Sequence, residues 1–189
     1  MPRHLTMEEL RAGLPHIRAA PANDGLLEGI VFRPRHGLRQ DVASARISLA
    51  GGVEGDHWAK KCWKETAEGR PHPDVQICIM NARAIALIAG ERANWAAAGD
   101  NLFVDLDLSP ENLPPGTRLR LGSAAIEITA VPHTGCQKFI DRYGRDACVF
   151  VNTGEGKARR LRGIYARVVK DGRVTVGDRV RKIVAAATT

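Results

Sequence analysis

Residues 165–180, YARVVKDGRVTVGDRV, alternate apolar and polar side chains on both sides of Lys170-Asp171-Gly172. Period-two alternation marks a strand with one buried face, and an Asp-Gly pair between two such runs predicts a hairpin with Gly172 at positive φ. The same grammar returns at 117–131, TRLRLGSAAIEITAV, where Gly122-Ser123 predicts a second turn. Working outward, short apolar runs bounded by Gly and Pro fall at 26–33, 45–50, 75–80, 101–106, 117–121, 124–131, 163–169 and 173–180. Many strands without regular strand–helix alternation argue for a β-rich mixed α/β fold, barrel-like with a few peripheral helices, and against a doubly wound sheet.

Two helices interrupt this pattern. Leu5, Thr6, Glu9 and Leu10 have the spacing of a hydrophobic staple and a capping box, which predicts a short peripheral helix from Met7 that Gly13 and Pro15 stop. Asn81 caps ARAIALIA, and Gly90 closes it. No G-x-G-x-x-G or Walker-type loop is present, so neither nucleotide cradle is expected.

Composition narrows the function classes. A chain of 189 residues with 44% hydrophobic and 26% charged side chains is long enough to bury one core unaided. The start, MPRHLTMEELRAGLPHIR, lacks the apolar centre of a signal peptide, and no run is long enough to span a bilayer, so a cytoplasmic protein without a membrane partner is expected. Cys62, Cys78, Cys136 and Cys148 form no C-x-x-C pair and are expected as free thiols. A net charge of +7 favours an anionic partner. The densest basic stretch, GKARRLRGIYAR, carries Lys157, Arg159, Arg160, Arg162 and Arg167, which read first as a solvated face. With two tyrosines and four phenylalanines in the chain, a stacking platform for single strands is poorly represented, and no nucleic-acid partner is expected.

Three glycine-containing stretches place reactive or polar groups inside the apolar pattern: GGVEGDHWA, AAAGDNLFVDLDLS and PHTGCQKF. Glycine lets backbone N–H groups approach a ligand, and adjacent Asp, Asn and His orient it, although each stretch alone is also an ordinary turn. Cys136 follows Pro132 and Gly135 with Lys138 and Arg142 close by, cations that favour the nucleophilic, metal-binding thiolate. Cys78 in VQICIM and Cys148 in DACVFV read as buried fillers, and Cys62 as an exposed thiol in a polar loop. His133 is either a base for Cys136 or a surface loop histidine.

Taken together and in this order, GGVEGDHWA, DVQICIMNARAIALIAG, GDNLFVDLDLSPENLPPGTRLRLGSAAIEIT, PHTGCQKF and RLRGIYARVVKDGRVTVGDRV resemble the MOSC domain, named for the C-terminal domain of molybdenum cofactor sulfurases. The resemblance covers 25–182, which leaves 1–24 as a helical extension and 183–189 as a tail, and looks like a stand-alone member. It implies a MOSC-type barrel and a molybdenum cofactor (molybdopterin) whose metal is held by Cys136; His133, three residues earlier, is the candidate catalytic partner of that cysteine on its position alone. It further carries Gly99, Asp100 and Asn101, and then Gly55, Asp56 and His57, into the cofactor site. Lys138, near Cys136, joins the cofactor-binding set, and Arg162 is the leading cation for the pterin phosphate, for which Arg33, Arg35 and Lys60 are further candidates. The chain lacks the aminotransferase-like sulfurase module of larger relatives, so pyridoxal phosphate is expected only on a separate partner. Three activities fit the resemblance: reduction of N-hydroxylated or related small compounds with a separate electron donor, sulfur transfer through a Cys136 persulfide from a sulfur donor, and non-enzymatic cofactor delivery.

Overall fold

Runs such as ICIM (77–80) and LFV (102–104) are apolar at every position because both faces of their strands are covered. In β5 (Ile77–Asn81) the side chains of Ile77 and Ile79 join the barrel interior, while Met80, on the other face, joins a second core beneath the helices. In β6 (Leu102–Asp105), Leu102 and Val104 point in and Phe103 points out. The computed structural model describes residues 3–35 and 37–184, so 185–189 of the expected tail lie outside the described residues.

The remaining strands are β1 (Gly25–Phe32), β2 (Gln40–Val42), β3 (Ser44–Ser48), β4 (Gly52–Val53), β7 (Arg118–Leu121), β8 (Ala124–Ile128), β9 (Ile164–Lys170), β10 (Gly172–Thr175) and β11 (Arg179–Lys182). With β5 and β6, five of these close a seven-stranded ring in the order β1-β11-β7-β8-β9-β5-β6, sealed where Gly25 pairs with Val180. Among the described residues only the β5–β6 pair is parallel, and its crossover contains α3 (Ala82–Ala89). Asn81 caps that helix by accepting from the Ala84 N–H, as its sequence requires. The predicted β7–β8 hairpin at Gly122-Ser123 forms, with Leu121 opposite Ala124.

The hairpin expected at Lys170-Asp171-Gly172 does not. β9 pairs with β8 and β5, whereas β10 leaves the barrel to join β3 and β4 in a separate sheet. The cause is close packing: a Cβ on Gly172 would lie 2.4 Å from the Ala124 backbone nitrogen, so the chain turns across the β7–β8 connection without adopting positive φ. The single strand expected over 173–180 is accordingly two, β10 and β11.

Two expectations about helices also change. Pro15 does not stop the first helix: Gly13 ends α1 (Met7–Ala12) and starts α2 (Leu14–Arg18), where Pro15 sits in the first turn and needs no N–H partner. The pair docks on the rest of the chain, with Leu10 fully buried and Met7 N–H donating to Asp146. Between β8 and β9 the chain forms α4 (Gln137–Tyr143), α5 (Arg145–Asn152) and α6 (Gly154–Ala158), of which α4 and α5 supply buried side chains to the second core. Among the described residues no helix is long and apolar enough to cross a membrane.

Candidate functional site

Gly99 ends a 3₁₀ helix (Arg92–Ala98) with φ of 87°, a left-handed conformation natural to glycine, and so sends Asp100 and Asn101 into the interior. Asn101 uses its whole amide there. Its Oδ1 accepts from the Cys78 N–H at 3.0 Å and from Arg33 at 3.4 Å, and its Nδ2 donates to Val31 O at 3.2 Å and to Asp56 at 3.0 Å. Asp56 in turn accepts from the Arg33 backbone at 2.9 Å, from the Arg33 guanidinium at 2.8 and 3.0 Å, and from Trp58 N–H at 2.9 Å. Burial raises the Asp56 carboxyl and Arg33 lowers it, and Arg33 wins. Asp56 and Asn101 are therefore brought together, and their hydrogen-bonding capacity is spent on holding the floor of the site. His57 lies beside them with Nδ1 2.9 Å from the Arg33 carbonyl, and Gly55 is exposed at the turn with the Phe32 ring against it.

Asp100 stands differently. Its Oδ2 accepts from Arg162 at 2.8 Å, while its Oδ1 faces His133 Nδ1 at 3.5 Å and makes no hydrogen bond. His133 Nδ1 and Arg162 Nε are likewise buried and unpartnered. Burial pushes the Asp100 carboxyl up against the pull of Arg162 and Arg33. Burial and the same two arginines hold the His133 imidazole well below its ordinary range, so it is neutral at pH 7. Three orphaned polar atoms on touching residues are the unusual feature of this interior, since buried polar atoms are as a rule paired.

The electrostatics are lopsided. Arg33 and Arg162 contact the 99–101 turn directly, and the guanidinium groups of Arg39 and Arg142 lie 3.8 and 3.9 Å from where a Gly99 Cβ would be. Burial, Arg142 and Arg33 all depress the Arg39 pKa, the mark of a cation crowded by cations. Four guanidinium groups thus surround two carboxylates, Asp56 and Asp100.

On one side of this cluster a cleft of about 380 Å³ is lined by 129–134, Val151, Asn152, Lys157, Arg160 and 162–164. His133 and Arg162 belong to both the cleft and the buried cluster. From the basic segment, Arg159 pairs with Glu155 and Arg167 with Glu127, whereas Lys157 and Arg160 face the cleft. Arg160 holds a left-handed backbone at φ of 53°, the kind of strain that gathers at functional sites. Arg162 is buried, with Nη1 on Asp100 and Nη2 on the Ala98 carbonyl, so this phosphate candidate has its Nε–H without a partner.

Cys136 is exposed and caps the N-terminus of α4, two residues beyond the cleft-lining Thr134 and within about 7 Å of it by chain length alone. Its helix runs back to the cluster: the Phe139 ring lies 5.0 Å beneath the Arg162 guanidinium, and Arg142 donates to Ala97 O. Lys138 is exposed on the first turn of the same helix, and Arg35 and Lys60 are also exposed.

Cys78 and Cys148 are buried and Cys136 exposed, as their neighbours imply. Cys78 is more than filler, however. Its sulfur lies 3.9 Å from the Arg33 guanidinium, and burial, opposed by Arg33, pushes its thiol up to about 11, so it is a protonated wall of the cluster. Cys62 is partly buried against Cys78 and Tyr165 rather than simply exposed. Arg39 and Tyr165 carry no local signal of their roles in sequence. Among the described residues no group of three or more His, Cys, Asp or Glu is placed to hold a metal ion, so a metal bound here must bring most of its own ligands.

The fold recurs in solved structures. YuaD from Bacillus subtilis matches with a TM-score of 0.56 at 20% identity, covering 82% of this chain and 93% of that one. YiiM from Escherichia coli gives 0.52 at 18% identity (87% and 72% covered), and YiiM from Geobacillus stearothermophilus 0.54 at 15% (88% and 76%). No curated protein matches the chain. The MOSC domain model matches residues 51–181, which hold the 55–57 turn, the 99–101 turn and Cys136, and with the closed barrel around them the chain belongs to the MOSC domain family, a family associated with molybdenum cofactor binding.

Proposed function

We propose that this protein is a molybdenum-dependent oxidoreductase that reduces N-hydroxylated or related small compounds, with the cofactor in the cleft beside Arg162 and Cys136 as the protein ligand to the metal. The observation that carries the reading is the set of unpartnered atoms, Asp100 Oδ1, His133 Nδ1 and Arg162 Nε, buried where the cleft meets an excess of guanidinium groups. Those groups fit an anionic, hydrogen-bonding pterin. Lys157 and Arg160 would neutralise its phosphate, and Arg162 Nε and the polar backbone of 129–134 would meet its ring edge.

Cys136 suits the metal because it is exposed beside the cleft, whereas burial holds Cys78 as a thiol. When bound, the cofactor supplies a two-electron redox centre. Reduction of R–NHOH to R–NH₂ and water consumes two electrons and two protons. The electrons come from a separate flavin or iron–sulfur partner. Asp100 Oδ1 and His133 Nδ1, facing each other at 3.5 Å without a hydrogen bond, are the groups placed to pass one of those protons, since burial disfavours charge on either.

The test is molybdenum and pterin content, with reduction of an N-hydroxylated substrate by an artificial donor, for wild type, Cys136→Ser and Cys148→Ser. Wild type and Cys148→Ser should carry the cofactor and turn over, and Cys136→Ser should lose turnover. Full turnover in Cys136→Ser, or a persulfide on a metal-free wild type, would overturn the reading.

A further inference from the structure

Trp63 is 68% exposed, while Trp58 and Trp95 are buried. It sits in the loop between β4 and β5, which is tied down by backbone bonds from Lys60 and Lys61 to His57 O (2.9 Å each), from His72 to Lys64 O (3.0 Å), and by a bridge between Glu65 and Pro71. The indole is therefore presented on a braced loop. Its inner side meets Tyr165 at 6.2 Å between ring centroids, tilted by 43°. Tyr165 is buried and meets His133 at 4.4 Å, and His133 both lines the cleft and faces Asp100. A second link runs beside the first: Cys62 and the cleft-lining Val131 pack on the same cluster of Val75, Cys78 and Tyr165.

An exposed tryptophan alone is unremarkable on a protein surface. Here it is the outer end of a continuous row of rings, Trp63–Tyr165–His133, that runs inward to the unpartnered atoms of the cluster. Lys60 and Lys61, on the same braced loop three and two positions before Trp63, are both exposed and without a carboxylate partner among the described residues. A planar ring finds a stacking face on Trp63, and an acidic substituent finds the two ammonium groups. We infer that Trp63, with Lys60 and Lys61, is an outer recognition subsite for small planar aromatic compounds that carry an acidic group. As a statement about substrate it rests on the cleft being the reaction site, but the binding itself needs no metal.

The experiment uses the metal-free full-length chain and three probes: benzoate, benzamide and cyclohexanecarboxylate. The reporters are the Trp63 indole N–H, identified as the signal missing from Trp63→Phe, and the amide of Gly163, which lies beside His133. Benzoate should shift both signals saturably and leave those of Trp58 and Trp95 unmoved. The neutral and the non-aromatic probes should bind about fivefold more weakly, the scale of one stacking or one exposed charge contact. In Trp63→Ala the Gly163 shift should need about fivefold more benzoate, while Lys60→Ala/Lys61→Ala should weaken benzoate and leave benzamide unchanged. The subsite is overturned if benzoate leaves the Trp63 signal still, if all three probes bind alike, or if Trp63→Ala binds benzoate as wild type does. Benzoate binding by a chain that never acquires molybdenum would sink the redox reading and keep the subsite. A loaded, active enzyme indifferent to benzoate would do the reverse.

Discussion

Asp56 shows how a residue can brace the proposed site without facing the cleft. Its carboxylate is nearly inaccessible and its partners are the guanidinium and backbone of Arg33, the Trp58 N–H and the Asn101 amide. Asp56→Ala leaves Arg33 buried and uncompensated, so chemical denaturation should register a loss of about 3–5 kcal/mol. His133 gives a sign-definite test. Its folded pKa is depressed from an ordinary value near 6.5, so below that pH the unfolded chain takes up a proton that the folded one refuses. Stability must then fall as pH drops below 6.5, with a limiting slope of about 1.4 kcal/mol per pH unit for one proton. Asp100, whose pKa burial raises, contributes with the opposite sign, its stabilisation being lost as pH rises through its folded pKa. His133→Gln should flatten the slope just below pH 6.5, and an unchanged slope in that variant would remove the buried neutral imidazole from the account. Of these residues the turns are legible in sequence: Gly-Asp-His at 55–57 and Gly-Asp-Asn at 99–101 announce themselves. What Asp56 faces does not, because Arg33 is 23 positions away and only the barrel brings them together.

Elements were legible where their signal is local and opaque where it is tertiary. Capping chemistry places α1 and α3, and alternation places most strands within a residue or two. The three helices between β8 and β9 escape that reading because Gly144 and Gly154 cut the pattern into short pieces, yet Phe139, Tyr143, Ala147 and Val151 recur every fourth residue and are all buried. That spacing is the signal available to find α4 and α5. The 165–180 stretch fails for another reason: alternation and an Asp-Gly pair specify two strands, but partner choice is decided by the contact of Gly172 with the 123–124 backbone. Gly172→Ala should therefore cost about 1–3 kcal/mol in thermal or chemical unfolding, a price a simple exposed turn would not exact. A neutral substitution would mean that β10 packs less closely than the structure has it.

At the scale of the whole molecule, two cores share one set of strands: one inside the barrel, the other between its outer face and the helices. The N-terminal helices belong to the second core, and β1, which seals the ring against β11, lies ahead of the 51–181 match. Leu10→Ala should cost about 2–5 kcal/mol and shift helical and aromatic signals through one common transition. Separate transitions would mark 1–24 as an independent extension.

The central claim joins all three scales, since barrel, helix and residue combine to set one exposed thiol beside an electropositive cleft. Its most direct test is X-ray absorption at the molybdenum edge on wild type and on Cys136→Ser, both produced in a cofactor-competent host. The account predicts that the metal in Cys136→Ser has one sulfur neighbour fewer than in wild type, with the thermal midpoint unchanged because residue 136 is exposed. Identical sulfur shells in the two proteins, or a wild type that binds pterin without any protein sulfur on the metal, would contradict it.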